Sequence, residues 1–228
     1  MSTTRVTRLC LVRHGETDWN VEHRIQGQQD VSLNATGEAQ ALSLAAQLAE
    51  GYPRPVAVYS SNLQRAHATA CTLAAALSLP VNLNPALRER NFGYFEGLTG
   101  HEAKERYPEA YVHHMEREVD FDQHGGETLR GFAARALSGL VEILSQHEGQ
   151  TVLVVTHGGV LDLMYRVVTD RPLSAPRDFA LPNCATNWFR YVRDGAVERW
   201  ILDGWGDFPA NDGGLSPINT GNETVNAT

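Results

Sequence analysis

Hydrophobic residues form short continuous runs that alternate with longer stretches of helical spacing. The short runs, which are typical of buried β-strands, are residues 8–12, 55–59, 80–83 and 151–155. The helical stretches are residues 36–49, 61–77 and 129–144. We expect Thr36 and Ser61 to cap the first two helices. The alternation predicts an α/β fold in which a mostly parallel central sheet is sandwiched by helices on both faces.

Two segments break this alternation. Residues 187–192 and 197–202 alternate apolar and polar positions on either side of Asp194 and Gly195, which predicts an antiparallel hairpin at one edge of the sheet. The polar stretch at residues 91–126 is rich in Glu, His, Arg and Tyr. We interpret this stretch as an insertion with its own helices, and we call it the cap.

Composition limits the domain count and the partners. The chain has 228 residues, of which 42% are hydrophobic, enough for one sizeable core. We expect a single domain over residues 1–202, followed by a polar acidic tail over residues 203–228 that has no Lys or Arg. The formal net charge of -8 argues against a nucleic acid or a membrane as partner, because both need clustered positive charge.

Cysteine usage and hydropathy favour a cytoplasmic protein. Cys10, Cys71 and Cys184 lie far apart among apolar residues, so we expect buried free thiols and no disulfide. The first residues lack an apolar run of signal-peptide length, and no stretch approaches the roughly 18 apolar residues of a membrane helix. Aromatic side chains of the hairpin would suit a homodimer interface. Alternatively, the tail could cover them. They are Trp188, Phe189, Tyr191 and Trp200.

Two of the predicted strands end in the same short pattern. The first strand leads into Arg13 and His14, and the last parallel strand leads into His157 and Gly158. Ligands bind beyond the carboxyl ends of parallel strands, so both histidines are expected in one site. A single histidine in a turn is more often a structural residue, but two at matching strand ends favour chemistry.

Further charged residues are expected at the same edge of the sheet. The second strand leads to Arg65 in the first turn of its helix, and the third leads to Glu89. Alone, Arg65 would be typical of a solvated helix residue and Glu89 of a surface charge. With Arg13 they predict an anion pocket that has a carboxyl group beside it.

The alternative site is a metal site in the cap. Its spacings match no standard structural zinc pattern, so we interpret these side chains as solvated residues at the edge of the cap and expect no metal. The residues concerned are His113, His114, Asp120, Asp122, His124 and Glu127.

Residues 11–20, which read Leu-Val-Arg-His-Gly-Glu-Thr-Asp-Trp-Asn, resemble the signature of the histidine phosphatase superfamily, in its phosphoglycerate mutase-like branch. Further matches follow in the family's order at residues 26–33, 60–70, 87–97 and 156–159. The resemblance therefore extends over residues 8 to about 160 and repeats in context, which makes it far more specific than a bare Arg-His-Gly.

The resemblance implies roles for individual residues. His14 would be the nucleophile that becomes a phosphohistidine, and Glu89 would protonate the leaving oxygen and later activate water. His157 would be a third catalytic residue that holds a phosphate oxygen. The residues implied in substrate binding are Arg13, Asn20, Gln26, Gly27, Arg65 and Gly158. No metal or other cofactor is implied, because the arginines carry the positive charge.

The function that the resemblance implies is that of a metal-independent phosphomonoesterase acting on a small phosphorylated metabolite. A phosphoglycerate mutase, which would need 2,3-bisphosphoglycerate, remains the alternative because residues 98–100 resemble that branch. Residues 113–118 lack the consecutive arginine pair that grips the substrate carboxylate in mutases, and residues 125–128 resemble a turn of phosphatase members. A non-catalytic phosphate binder is a third possibility, but binding alone places no demand on His14 or Glu89.

Overall fold

The computed structural model describes residues 4–51, 53–122, 125–195 and 197–207. Two short 3₁₀ helices cover Pro85–Leu87 and Gly93–Phe95. The strands are β1 (Arg5–Arg13), β2 (Ala57–Ser60), β3 (Val81–Leu83), β4 (Thr151–Thr156), β5 (Thr186–Asp194) and β6 (Val197–Asp207). The helices are α1 (Asp18–Val21), α2 (Ala35–Glu50), α3 (Gln64–Leu77), α4 (Gly100–Arg106), α5 (Pro108–Met115), α6 (Leu129–Ser145) and α7 (Gly158–Thr169).

The strands form one six-stranded sheet with the order β3-β2-β4-β1-β5-β6. Strands β1 to β4 pair in parallel, whereas β5 pairs antiparallel with β1 and with β6. The predicted α/β sheet with an antiparallel hairpin at its edge is therefore confirmed. The cap contains helices α4 and α5, as the polar insertion predicted.

Alternate residues of the central strands contribute to two hydrophobic layers. Leu9 and Leu11 of β1 pack with α6 and α7, while Cys10 and Val12 pack with α2 and α3. All six residues of β4 are buried as well. Continuous apolar runs are thus explained by a sheet that is covered on both faces.

Several local expectations were wrong. The N-cap of α2 is Asn34, whose Oδ1 accepts from the backbone N–H of Gly37 at 2.9 Å, and not Thr36. Helix α3 has no side-chain cap at its N-terminus, although the Ser61 hydroxyl accepts from the backbone of Leu63. Among the cysteines, Cys71 is exposed, because it lies on the solvent side of α3. Asn34 and Thr36 are both suitable N-cap residues, and spacing alone does not distinguish them.

The edge hairpin continues beyond its predicted end at residue 202, because β6 runs to Asp207. Residues 208–228 of the predicted tail lie outside the described part of the chain. Phe189 and Tyr191 are buried in the core, and the ring of Trp200 packs 4.8 Å from that of Tyr191. These aromatic side chains thus pack within the chain, and the homodimer stays a prediction. No helix in the described ranges has the length and hydropathy needed to cross a membrane.

Candidate active site

The parallel pairing of β1 with β4 brings the two histidines together. Arg13 pairs with Thr156 in the ladder, and the backbone N–H of His14 donates to the carbonyl of Thr156 at 2.9 Å. The residue that follows β4 is His157, which is the N-cap of α7. The two imidazole rings lie 5.2 Å apart between centroids, and both residues are buried.

Hydrogen bonds fix the tautomer of His14. Its Nδ1 lies 2.7 Å from the carbonyl oxygen of Gly15, which can only accept, so Nδ1 carries the proton. Its Nε2 accepts from Nε of Arg65 at 3.3 Å. Burial lowers the pKa of His14 well below its ordinary value, and the charges of Arg65 and Arg13 lower it further. His14 is thus a neutral imidazole with its lone pair on Nε2, as a nucleophile requires.

The loop that carries His14 is packed directly on the start of α2. A Cβ on Gly15 would lie 2.5 Å from the carbonyl oxygen of Gly37, and a Cβ on Gly37 would lie 2.1 Å from that of Glu16. Both positions therefore require glycine for close backbone approach. The backbone N–H of Gly15 also donates to the Thr69 hydroxyl of α3, which anchors the loop from a second side.

Two guanidinium groups flank His14. Arg65 is fully buried, and it donates to the carbonyls of Gly27 at 2.7 Å and Gln29 at 2.8 Å. Arg13 donates to the carbonyl of Leu181. Burial lowers the pKa of Arg65 to about 10, so its charge persists at neutral pH. Within the described residues neither arginine forms an ion pair, which leaves both charges available to an anion.

Buried polar atoms without a hydrogen-bond partner concentrate at this point. In the described ranges, four of the five such side-chain atoms belong to Arg13, Gln26 and His157. They are Nε of Arg13, Oε1 of Gln26 and both ring nitrogens of His157. An unpaired buried polar group costs about 1 to 3 kcal/mol, so these atoms indicate a polar ligand. Phosphate oxygens would accept from the arginine and from one histidine nitrogen.

Glu89 lines the same cavity, and two backbone donors hold its carboxylate. Its Oε1 accepts from the N–H of Arg90 at 2.8 Å, and its Oε2 accepts from that of Gly159 at 2.9 Å. A Cβ on residue 159 would lie 2.1 Å from Oε1, so the carboxylate fits only beside glycine. Gly159 is not among the predicted site residues, although it follows the predicted Gly158.

Arg135 and Glu127 brace the segment that carries Glu89. Arg135 donates to the carbonyls of Ala86 at 2.8 Å, Arg88 at 3.1 Å and Glu89 at 3.2 Å. Its guanidinium also binds both carboxylate oxygens of Glu127 at 2.7 Å. Glu127 is thus an ion-pair partner rather than a solvated cap residue. Arg135 is not among the predicted site residues, because Ala86, Arg88 and Glu89 lie 46 to 49 positions away along the chain.

Nearly all predicted site residues line one cavity of 680 Å³. His157 is the exception: it is fully buried, with its ring centroid 5.2 Å from that of His14. Asn20 accepts from the backbone and hydroxyl of Thr17, each at 3.1 Å, in the capping box of α1. Asn183, which the sequence analysis also missed, donates to the carbonyl of His14 at 2.8 Å. The predicted residues that line the cavity are Arg13, His14, Asn20, Gln26, Gly27, Arg65, Glu89 and Gly158.

The histidines and carboxylates of the cap are engaged elsewhere. His113 pairs with Glu118 at 2.7 Å, and Asp120 pairs with Arg130 at 2.7 Å. The ring of His114 packs against aromatic rings of the cap. His124 lies outside the described ranges. Over the described part of the chain, no three His, Cys, Asp or Glu side chains are grouped so that they could hold a metal ion.

Buried neutral histidines predict a loss of stability in mild acid. Burial lowers the pKa of His14 and His157 well below 6.5, and that of His114 to about 4. Below pH 6.5 these histidines bind protons in the unfolded chain but stay neutral in the folded chain. The free energy of unfolding should fall by about 1 kcal/mol per histidine between pH 6.5 and 5.5 in urea titrations.

His157→Gln should remove one histidine's share of this pH dependence. The matched control is the same substitution at His101, whose side chain is 80% exposed. An identical pH dependence in His157→Gln and the wild type would contradict burial of a neutral ring at this position.

Comparisons with known proteins show which family the chain belongs to. A family model described as the histidine phosphatase superfamily (branch 1) matches residues 9–206. A metal-independent phosphoserine phosphatase of Arabidopsis thaliana is 40% identical over 206 residues, which cover 90% of this chain and 83% of that protein. Phosphoglycerate mutase-like protein 4 of the same plant is 40% identical over 201 residues, or 87% of this chain and 84% of the relative. The structure of a mycobacterial glucosyl-3-phosphoglycerate phosphatase matches with a TM-score of 0.78 and 30% identity, covering 88% of this chain and 99% of that one. The chain therefore belongs to the histidine phosphatase superfamily.

Proposed function

We propose that this protein is a metal-independent phosphomonoesterase that hydrolyses a small phosphorylated metabolite through a phosphohistidine at His14. The observation that carries the proposal is the buried, neutral His14, whose Nε2 accepts from Arg65 and whose flanking arginines, Arg13 and Arg65, form no ion pair within the described residues. A binding pocket for phosphate needs the arginines alone. The fixed tautomer and the nearby Glu89 carboxylate fit a chemical step.

In the first step, Nε2 of His14 attacks phosphorus while the bond from phosphorus to the ester oxygen breaks. Glu89 in its protonated form gives its proton to the departing oxygen. Arg13, Arg65 and His157 donate to the phosphoryl oxygens, where charge redistributes in the in-line transition state. The hydrogen bond from Nδ1 to the carbonyl of Gly15 stabilises the positive charge that the ring gains.

In the second step, Glu89 takes a proton from water, and the water oxygen attacks the phosphohistidine. The bond from phosphorus to nitrogen breaks, which releases inorganic phosphate and returns His14 to its neutral form. The two backbone donors and the Arg135 contacts keep the Glu89 carboxylate in one place for both proton transfers.

Relatives support the class of reaction and the absence of a cofactor. A relative that covers most of the chain is named a metal-independent phosphoserine phosphatase, and a structural neighbour is named a glucosyl-3-phosphoglycerate phosphatase. The buried arginines supply the positive charge that a metal ion would otherwise bring. A small phosphomonoester is therefore the substrate that we propose. The three free cysteines fit a reducing compartment, so we also propose that the protein acts in the cytoplasm.

Mutase activity is the second candidate, because another relative is named phosphoglycerate mutase-like protein 4. A mutase would need 2,3-bisphosphoglycerate to prime the histidine. The stretch at residues 113–118 has a single arginine, Arg117, which is held by Asp162 at 2.7 Å and by the carbonyl of Leu173 at 2.8 Å. The consecutive arginine pair of mutases is thus missing, and this favours hydrolysis.

An assay without metal separates these functions. The wild type should release inorganic phosphate from p-nitrophenyl phosphate and from small alkyl phosphomonoesters in the presence of EDTA. His14→Ala should lower kcat by at least about 10³-fold, because it removes the nitrogen that attacks phosphorus. Conversion of 3-phosphoglycerate with 2,3-bisphosphoglycerate into 2-phosphoglycerate, without net phosphate release, would instead identify a mutase. If neither phosphate release nor isomer formation is observed, phosphate binding without catalysis is the remaining function.

Glu89→Gln should reveal the acid role through the leaving group. Glutamine keeps the shape of the side chain but cannot donate the proton, so kcat for an alkyl phosphomonoester should fall by about 10² to 10⁴-fold. p-Nitrophenolate leaves without a proton, so its release in a single turnover should fall much less. Equal losses for both substrates would contradict the assignment of Glu89 as the general acid. The matched control is Glu109→Gln, because Glu109 lies on the exposed face of α5.

A further inference from the structure

Glu96 is a partly buried carboxylate that holds three N–H donors next to the active-site cavity. Its Oε1 accepts from the backbone N–H groups of Gln28 at 2.8 Å and Phe92 at 3.0 Å, and its Oε2 accepts from the side-chain amide of Gln29 at 3.0 Å. Within the described residues it forms no ion pair, and it is not among those that line the cavity. The role of this carboxylate therefore depends on the backbone that it contacts.

Two of these donors belong to residues 26–30, which we call the glutamine loop. The N–H of Gln29 donates to the carbonyl of Gln26 at 3.0 Å, so the loop contains a β-turn. Gly27, at the second position of the turn, lines the cavity and has a φ of 51°. A Cβ on Gly27 would lie 2.0 Å from Oε1 of Glu96. The turn thus packs directly on the carboxylate, with no room for a side chain between them.

One peptide group of this turn links Glu96 to Arg65. Its N–H, from Gln28, donates to Oε1 of Glu96 at 2.8 Å, and its carbonyl, from Gly27, accepts from Arg65 at 2.7 Å. The peptide group is planar, so the direction of its N–H fixes the direction of its carbonyl. The direction of the central peptide also distinguishes one β-turn type from another, so a contact to that peptide selects the type. The Glu96 carboxylate thereby points the Gly27 carbonyl at Arg65, and it strengthens that acceptor by polarising the peptide.

Gln29 makes a second connection between the same two side chains. Its amide Nε2 donates to Oε2 of Glu96 at 3.0 Å, and its backbone carbonyl accepts from Arg65 at 2.8 Å. Within the described residues, the Arg65 guanidinium donates to the carbonyls of Gly27 and Gln29 and to Nε2 of His14. Through one loop, Glu96 thus contacts the groups that carry both carbonyl oxygens of this set.

Other groups fix the ends of the glutamine loop. Just before the loop, the N–H of Ile25 donates to the carbonyl of Leu98 in the cap at 2.8 Å. At the end of the loop, the carboxylate of Asp30 accepts from the backbone N–H of Gln64 at 2.7 Å and from its side-chain amide at 3.0 Å. Neither contact involves the central peptide of the turn. The direction of that peptide is therefore left to Glu96.

The charge of Glu96 is a minor influence on Arg65. Burial lowers the pKa of Arg65 to about 10, and the charges of Glu89 and Asp30 raise that pKa more than the charge of Glu96 does. The position of the Glu96 oxygens therefore matters more than their charge. A neutral group of the same shape should reproduce most of the effect.

We propose that Glu96 is a positioning residue, which fixes the central peptide of the glutamine loop and thereby directs the Arg65 guanidinium to a phosphate beside His14. The inference rests on the proposed function, in which that phosphate is the group that His14 attacks. A guanidinium binds phosphate through a planar fork, so its hold on the anion depends on the direction of that fork. Loss of the Glu96 contacts should weaken phosphate binding although Glu96 itself does not touch the ligand.

Two substitutions separate the position of the oxygens from the charge. Glu96→Asp keeps the charge but is shorter by one methylene, so its carboxylate cannot reach Gln28 and Phe92 together. The dissociation constant of inorganic phosphate, measured on the full chain by phosphorus NMR titration, should rise at least about tenfold. Glu96→Gln loses the charge but keeps Oε1, so it should restore the affinity to within about threefold of the wild type. Wild-type affinity in Glu96→Asp, or affinity in Glu96→Gln no better than in Glu96→Asp, would overturn the proposal.

A double-mutant cycle with Arg65→Ala separates positioning from a general loss of structure. If Glu96 acts through Arg65, Glu96→Asp should change the phosphate affinity by less than about twofold once Arg65 is replaced. An equal loss with and without Arg65 would contradict the positioning role. The matched control is Glu105→Asp, because the side chain of Glu105 is 65% exposed on α4, and it should keep the wild-type affinity.

Urea unfolding shows which variants fold. If Glu96→Asp does not fold, Gln29→Ala takes its place, because Gln29 is exposed and its amide makes one of the three contacts to Glu96. The phosphate affinity of Gln29→Ala should fall at least about threefold when Arg65 is present and stay unchanged in Arg65→Ala. An unaltered affinity in Gln29→Ala would then count against the proposal.

Failure of the proposed function is a separate outcome. It would appear as phosphate binding with the expected cycle but no phosphate release from p-nitrophenyl phosphate, and Glu96 would then position Arg65 in a binding protein. Phosphate release together with wild-type affinity in both Glu96 variants would instead refute the positioning role and leave the proposed function standing.

Discussion

The parallel pairing of β1 with β4 is the constraint on which the site depends. Each strand is buried on both faces, so a shift of register by one residue would turn an apolar side chain out of its layer. The ladder fixes Arg13 opposite Thr156 and thereby sets His14 beside His157. On the other edge of β1, the N–H of Cys184 donates to the carbonyl of Arg13 at 3.0 Å. The position of the proposed nucleophile is thus set by backbone hydrogen bonds and not by flexible side chains.

The electrostatics of the site follow from burial of groups with the same sign. Arg13, Arg65 and two histidines are close together, and burial keeps the histidines neutral while the arginines stay charged. Hydrogen bonds from Arg65 to carbonyl oxygens hold its guanidinium without neutralising it. The local potential is therefore positive, although the formal net charge of the chain is -8. Net charge limits broad polyanion binding, but one focused dianion depends on local geometry.

The sequence predicted those features that a short stretch of chain determines by itself. Buried strands were recognisable as apolar runs, and a histidine directly after a parallel strand had to lie at the carboxyl edge of the sheet. Arg65 followed by the same reasoning, because its helix begins just beyond β2. The mostly parallel sheet with helices on both faces also followed from the alternation of strands and helices, whereas the order of the strands was not predicted.

Other features depend on residues that meet only after folding. Arg135 contacts Glu89 across 46 positions of the chain, and Asn183 contacts His14 across 169, so neither role could be deduced from spacing. Glu127 was interpreted as a solvated residue at the edge of the cap, because its ion-pair partner Arg135 lies on a different element, α6. The helical spacing over residues 36–49 did not specify which face is buried: Leu42 is 64% exposed, because α2 turns its Ala41 and Leu44 face to the core.

The most direct test of the account is to trap the phosphoenzyme. Wild-type protein would be mixed with p-nitrophenyl phosphate, quenched in alkali within milliseconds, digested and analysed by mass spectrometry. The account predicts an alkali-stable, acid-labile phosphoryl group on the peptide that contains His14, formed with a burst of p-nitrophenol. A burst without this modification, or a phosphoryl group on another residue, would contradict nucleophilic catalysis by His14.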